Sequence, residues 1–101
     1  MWVFVIYDLP TDSARERRIA ARFRRRVMGD GFSMLQFSIY IRHCLTDENA
    51  RTHMRRVEKI LPEKGRVALF SVTDTKFSEM RLFEDRARRE PYEPYGQTVM
   101  F

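Results

Sequence analysis

Residues 32–44, FSMLQFSIYIRHC, decide the architecture. Over the second half Phe37, Ile39 and Ile41 alternate with Ser38, Tyr40 and Arg42, the period of two that an extended strand shows when its two faces meet different surroundings. Upstream the alternation breaks, because Met34 and Leu35 are adjacent apolar residues and Gln36 interrupts them. The stretch reads as two strands meeting near Gln36 and Phe37, or as one long strand with a bulge there.

Toward the N-terminus lies a helix. Ser13, Ala14, Arg15 and Glu16 match a capping box, in which Ser13 takes the first free backbone donors and Glu16 reaches back to the cap residue. Ile19, Phe23 and Val27, with Ala20, share one helical face, and Arg15, Arg18, Arg22 and Arg25 share another. Gly29 and Gly31 end the helix, with Asp30 between them suited to a left-handed cap or turn. Before it, Trp2, Val3, Phe4, Val5, Ile6 and Tyr7 form a β-branched and aromatic run, too short to span a membrane and stopped by Asp8 and Pro10. On the other side, Thr46 or Asp47 caps a second helix with Ala50, Met54, Val57 and Leu61 as its apolar stripe, and Pro62 closes it. Gly65 opens a last strand over residues 67–73, apolar on nearly both faces.

The order is strand, helix, strand, strand, helix, strand, the ferredoxin-like βαββαβ arrangement of an α+β domain, with both helices on one face of an antiparallel sheet. Tyr7, Tyr40 and Phe70 make the other face too apolar for water, so a second copy is expected to cover it as a homodimer. The ferredoxin-like domain is expected over residues 1–83, with 84–101 as an extension of the same domain. Within these stretches, residues 80–83 suit a short strand, 84–90 suit a helix, 91–96 cannot be regular helix, and 97–101 suit an edge strand.

At 101 residues the chain fits one domain, and its net charge of +5 is concentrated rather than spread. Seven arginines (Arg15, Arg17, Arg18, Arg22, Arg24, Arg25 and Arg26) stand against one acid, Glu16, within residues 15–26, which is more than the whole net excess. Guanidinium presents a planar fork that matches phosphate, so a nucleic acid is the expected partner, ahead of an inert solvated face or an anionic membrane. The single cysteine, Cys44, permits no disulfide within the chain and suits a reducing cytoplasm. Neither a signal peptide nor a transmembrane segment is expected. His43, His53 and Cys44 lack zinc spacing, Ser38 has no Ser/His/Asp constellation to activate it, and Trp2 and the strand phenylalanines read as core. Asp8 either ends the strand and caps the next helix, or offers a carboxylate to a metal beside the arginines.

Taken together, residues 4–10 (FVIYDLP), the arginine helix and residues 31–44 (GFSMLQFSIYIRHC) resemble the CRISPR-associated Cas-two family from residue 1 to about 83. The resemblance implies a ferredoxin-like homodimer that acts in spacer acquisition and bridges the Cas-one integrase. It also implies metal-dependent endonuclease activity on RNA or DNA, with Asp8 as the catalytic and metal-binding carboxylate. A non-catalytic DNA-binding scaffold is the alternative. In a twofold dimer the two Asp8 groups can share one cleft, where magnesium or manganese would suit carboxylate oxygens and lower the pKa of a bound water. Arg15, Arg17, Arg18, Arg22 and Arg25 would hold the phosphate backbone, and Tyr7 or Ser38 could orient a phosphate or water.

Overall fold

The computed structural model describes residues 1–85. Its elements are β1 (Trp2–Asp8), α1 (Ala14–Gly29), β2 (Ser33–Gln36), β3 (Ile39–His43), α2 (Asp47–Glu58), β4 (Arg66–Val72) and α3 (Asp74–Ser78). The sheet order is β2-β3-β1-β4 with every pairing antiparallel, the ferredoxin-like α+β arrangement expected from the sequence. Both readings of residues 32–44 hold in part. The chain makes two strands joined by a turn at Phe37 and Ser38, and the β2–β3 register also shifts between Met34 and Gln36.

Local chemistry sets the boundaries. The Ser13 hydroxyl accepts from the Glu16 backbone N–H at 3.0 Å and the Glu16 carboxylate accepts from the Ser13 N–H at 3.0 Å, the reciprocal capping box. Such a cap is worth about 1 kcal/mol. At the other end the left-handed residue is Gly31, at φ 91, and not Asp30, which holds φ −91. A Cβ at Gly31 would also lie 2.9 Å from Arg42 Nε, so the Arg42 side chain would have to shift from its bond to the Asp30 carbonyl. Thr46, rather than Asp47, caps α2, its hydroxyl accepting from the Asn49 N–H.

Alternation along β1 divides the sheet into two unlike faces. Val3 and Val5 lie wholly buried with Phe23 and Val27 of α1 and Ala50 and Val57 of α2, each valine contributing about 2 kcal/mol on burial. Tyr40 is paired with Val5 and belongs to this same helix-covered core, as does Tyr7, whose ring meets Phe23 edge-on at 5.3 Å. The sequence alone favours the far face for both tyrosines, and the pairing register corrects that expectation. The far face instead carries Trp2, Phe4, Ile39, Ile41 and Val72. There the short helix α3, which had no expected counterpart, stacks Phe77 on Trp2 at 3.9 Å, and Met80 and Leu82 add to the cover. Asp74 at the start of α3 accepts from the Met1 ammonium at 2.6 Å and lies 3.3 Å from His43 Nε2, which fastens α3 to the sheet. The amino-terminal hydrogen bond, opposed by slight desolvation and helped by His43, holds the Asp74 carboxyl below its usual range.

The α2 stripe differs from expectation at one position with a consequence. His53 is buried while Leu61 lies exposed beyond the helix end. His53 Nδ1 is 2.7 Å from the Asp30 carboxylate, which Arg56 also reaches at 3.0 Å, so the end of α1 is tied to the middle of α2. Burial by itself pushes the Asp30 carboxyl up, but hydrogen bonds and charge from His53 and Arg56 outweigh it and hold the group low. Residue 83 forms an isolated β-bridge where a short strand was expected over 80–83. The expectations for 84–90 and beyond concern residues outside those described, apart from Glu84 and Asp85, which lie in a bend.

Candidate nucleic-acid interface and acidic strand end

Asp8 is the last residue of β1 and is exposed. It follows Phe4 and Ile6 on the far face of the sheet, away from the helices. Its Cα partner on β4 is Arg66. Its carboxylate joins no hydrogen bond or ion pair among the described residues. The main chain beneath it is held closely. Gly65, at φ 91, sits so near that a Cβ would lie 2.6 Å from the Asp8 carbonyl oxygen. The carboxylate is therefore free while its backbone is fixed by a turn that only glycine fits.

The other predicted residues distribute unevenly around it. Ser38 comes close to this strand end through its backbone, its carbonyl accepting from the Tyr7 N–H at 2.9 Å while it holds φ 65. Tyr7 does not share the Asp8 side. Adjacent strand residues point to opposite faces, and the Tyr7 ring lies among the helix-side core with Tyr40 at 6.0 Å. Burial, followed by the neighbouring Tyr40, pushes the Tyr7 hydroxyl up to about 12, against the opposing pull of Arg24. Tyr7 can shape the strand end but not touch a phosphate at Asp8.

Arg15, Arg17, Arg18, Arg22 and Arg25 are all exposed. A helix of α1's 16 residues runs about 24 Å at 1.5 Å per residue, so only its first turns lie near Asp8. At about 100° per residue the arginines also separate around the axis. Arg18 and Arg25 point away from the core, Arg15 and Arg22 turn toward α2, and Arg17 lies on the opposite flank. Arg17 additionally donates to the Thr11 carbonyl at 3.1 Å, bracing the loop between Asp8 and the helix. The stripe read from the sequence is a cationic helix with several aspects.

Sequence reasoning missed Arg66 beside Asp8. Its signal lay in the β1–β4 register, which no local pattern in one strand reveals. No cluster of three or more His, Cys, Asp or Glu residues that could hold a metal occurs among the described residues. A hard divalent ion that keeps most of its waters is compatible with one such carboxylate from each of two copies, since carboxylate oxygen is its preferred ligand. Among the described residues no helix is long and apolar enough to cross a membrane.

Fold and site define a small ferredoxin-like α+β protein with one unengaged acid at the end of a central strand and an arginine-covered helix. The family described as CRISPR associated protein Cas2 matches residues 1–80, and the chain belongs to that family. It is 44% identical over its full length to a "CRISPR-associated endoribonuclease Cas2" of Flavobacterium psychrophilum, covering 88% of that relative. A relative of the same description in Parvibaculum lavamentivorans is 37% identical, with both chains covered completely. The crystal structure of Streptococcus pyogenes Cas2 at pH 6.5 superposes with a TM-score of 0.62 over 83% of this chain and all of that one. At 16% identity this likeness concerns the fold.

Proposed function

We propose that this chain is a metal-dependent endoribonuclease of CRISPR systems that acts as a twofold dimer, with Asp8 as its catalytic and metal-binding carboxylate. The observation that carries the reading is the Asp8 carboxylate, unengaged among the described residues, on a rigid strand end beyond the part of the far face that α3 covers. The naming of full-length relatives as endoribonucleases supports the activity.

In the mechanism, two copies pack through Phe4, Ile6 and Phe70, which brings their Asp8 groups into one cleft. Magnesium or manganese held by these carboxylates would lower the pKa of a bound water and balance charge on the phosphodiester. The protein's own part is electrostatic and positional. Arg15, Arg17, Arg18, Arg22 and Arg25 hold phosphates along the helix side, from which the nucleic acid passes around the sheet end to Asp8. The Ser38 turn, tied to Tyr7 by its backbone, keeps the strand end from shifting. Its hydroxyl, without a hydrogen bond among the described residues, is available to a phosphate or water. In the cell the dimer binds nucleic acid in the cytoplasm and bridges the Cas-one integrase during spacer acquisition.

Purified protein tests the chemistry. Asp8→Asn should abolish cleavage of single-stranded RNA in magnesium or manganese while leaving self-association intact, and undiminished cleavage would remove Asp8 from the reaction. A second reading, a non-catalytic DNA-binding scaffold, draws on the single acid that each chain offers. It predicts that spacer acquisition in cells survives Asp8→Asn and fails when Arg18 and Arg25 are neutralised.

A further inference from the structure

The surface between α1 and the segment that follows α2 is hollowed. A cavity of about 480 Å³ beside Leu9 and Pro10 shares Ile19 and Pro62 with a second of about 210 Å³. That one shares Arg26 and Ile60 with a third of about 370 Å³, which reaches Asp30 and Lys59. The three make one groove, running from the loop after Asp8 along α1 to its end at Asp30, where it meets the last turn of α2. It lies on the helix side, on the opposite side of the sheet from the Asp8 carboxylate.

Its composition is two-part. The floor is aliphatic and aromatic carbon from Ile19, Phe23, Ile60 and Pro62, with Phe23 itself buried and Ile19 42% exposed. The rim is cationic, and the side chains of Arg22, Arg26 and Lys59 form no hydrogen bond or ion pair among the described residues. Of the three acids that line it, only Glu63, near the Asp8 end and beside Lys64, is unengaged among the described residues. Glu16 serves the capping box, and Asp30 is held by His53 and Arg56. An unengaged positive rim over an apolar floor asks for an occupant that brings both carboxylates and apolar side chains.

We infer that this groove beside α1 docks a segment of a partner protein in which acidic residues alternate with aliphatic ones. Its apolar side chains fill the floor at Ile19 and Ile60, and its carboxylates meet Arg22, Arg26 and Lys59. A nucleic acid strand fits less well, because its bases would need exposed aromatic faces to stack on, and the groove's one aromatic residue, Phe23, is 2% exposed. The groove lies on the other side of the sheet from the Asp8 carboxylate, and shares only Arg15 and Arg22 with the phosphate-holding surface proposed above.

The test uses the full chain with isotope-labelled isoleucine methyls and three probes of equal charge. These are an amphipathic peptide of alternating glutamate and leucine, the same peptide with serine for leucine, and an oligouridylate RNA. The leucine peptide should shift the Ile19 and Ile60 methyl signals, with affinity at least tenfold above either other probe. Arg26→Glu and Ile60→Ser should each weaken that binding by roughly tenfold, while Ile60→Ser retains RNA cleavage. If the serine peptide or the RNA shifts the same methyls equally, the groove is a simple anion track and the inference falls. It falls equally if no probe moves them. Circular dichroism of each variant distinguishes lost docking from lost folding, and the wild-type titration decides the matter without any variant.

Discussion

The two faces of the sheet are built from the same strands and behave as different materials. On the helix side Val3, Val5 and Tyr40 are sealed beneath two helices, and a buried histidine–carboxylate pair at His53 and Asp30 locks the helices to each other. On the far side Phe4 stacks on Phe70 at 4.9 Å, yet Phe70 remains 39% exposed, and the cover supplied by α3 ends well before Asp8. A finished face gives the domain its stability. Among the described residues the far face keeps exposed apolar surface, which the proposed function gives to a second copy, with the acid at its margin for chemistry. Tyr7 and Asp8, one position apart in β1, thus face the helix-side core and the open side respectively.

The largest expected effect is that of Asp8→Asn, which should remove RNA cleavage entirely while urea unfolding stays within about 0.5 kcal/mol of the parent, as for a surface change. Loss of stability instead would mean that the acid belongs to the folding side of the comparison. Next comes Phe70→Asp. A charge placed in the open apolar face should weaken self-association by roughly a hundredfold, close to 3 kcal/mol, as read by sedimentation equilibrium. The monomer should remain folded, because Phe70 lies outside the sealed core.

The helix side should answer differently. Asp30→Asn leaves His53 buried without its acid and should cost about 2 kcal/mol in urea unfolding, reduced from a fully buried pair by the exposure of Arg56. The Asp30 carboxyl is held low in the folded chain, so its contribution is fully present above the unfolded value near pH 4. It is lost as pH falls through the lower folded value. Parent and Asp30→Asn stabilities should therefore converge below about pH 4 and separate above it. A constant gap would assign the effect to packing. The smallest effect is expected at the outward arginines. Replacing Arg18 and Arg25 with glutamine should flatten the log–log salt dependence of duplex binding by about 2, at roughly 0.9 per phosphate contact. An unchanged slope would take the outer side of α1 off the nucleic acid.

Elements announced by local chemistry were legible in the sequence. The Ser13–Glu16 capping box and the apolar run of β1 state their structure within a few residues, and the broken alternation near Gln36 and Phe37 marked a strand junction or a bulge without deciding between them. Facing was harder. Tyr7 and Tyr40 look equally suited to either side of a sheet, and only pairing with Val5 and contact with Phe23 assigns them to the core. His53 carries no sign of burial until Asp30 is brought beside it from 23 positions away. The helix α3 was missed because its five residues have too short a pattern to show a face. For the site, Asp8 and the arginines were legible as types of residue. That Tyr7 turns inward, that Arg66 stands beside Asp8 and that the arginines divide around α1 depend on register and helical phase between distant segments.

Cleavage per chain, followed across the protein concentrations at which the dimer dissociates, tests most directly whether the unfinished face builds the site. The account predicts that RNA cleavage per chain rises with concentration in proportion to the dimer fraction measured in the same samples. Activity per chain that stays constant from monomer to dimer would contradict it.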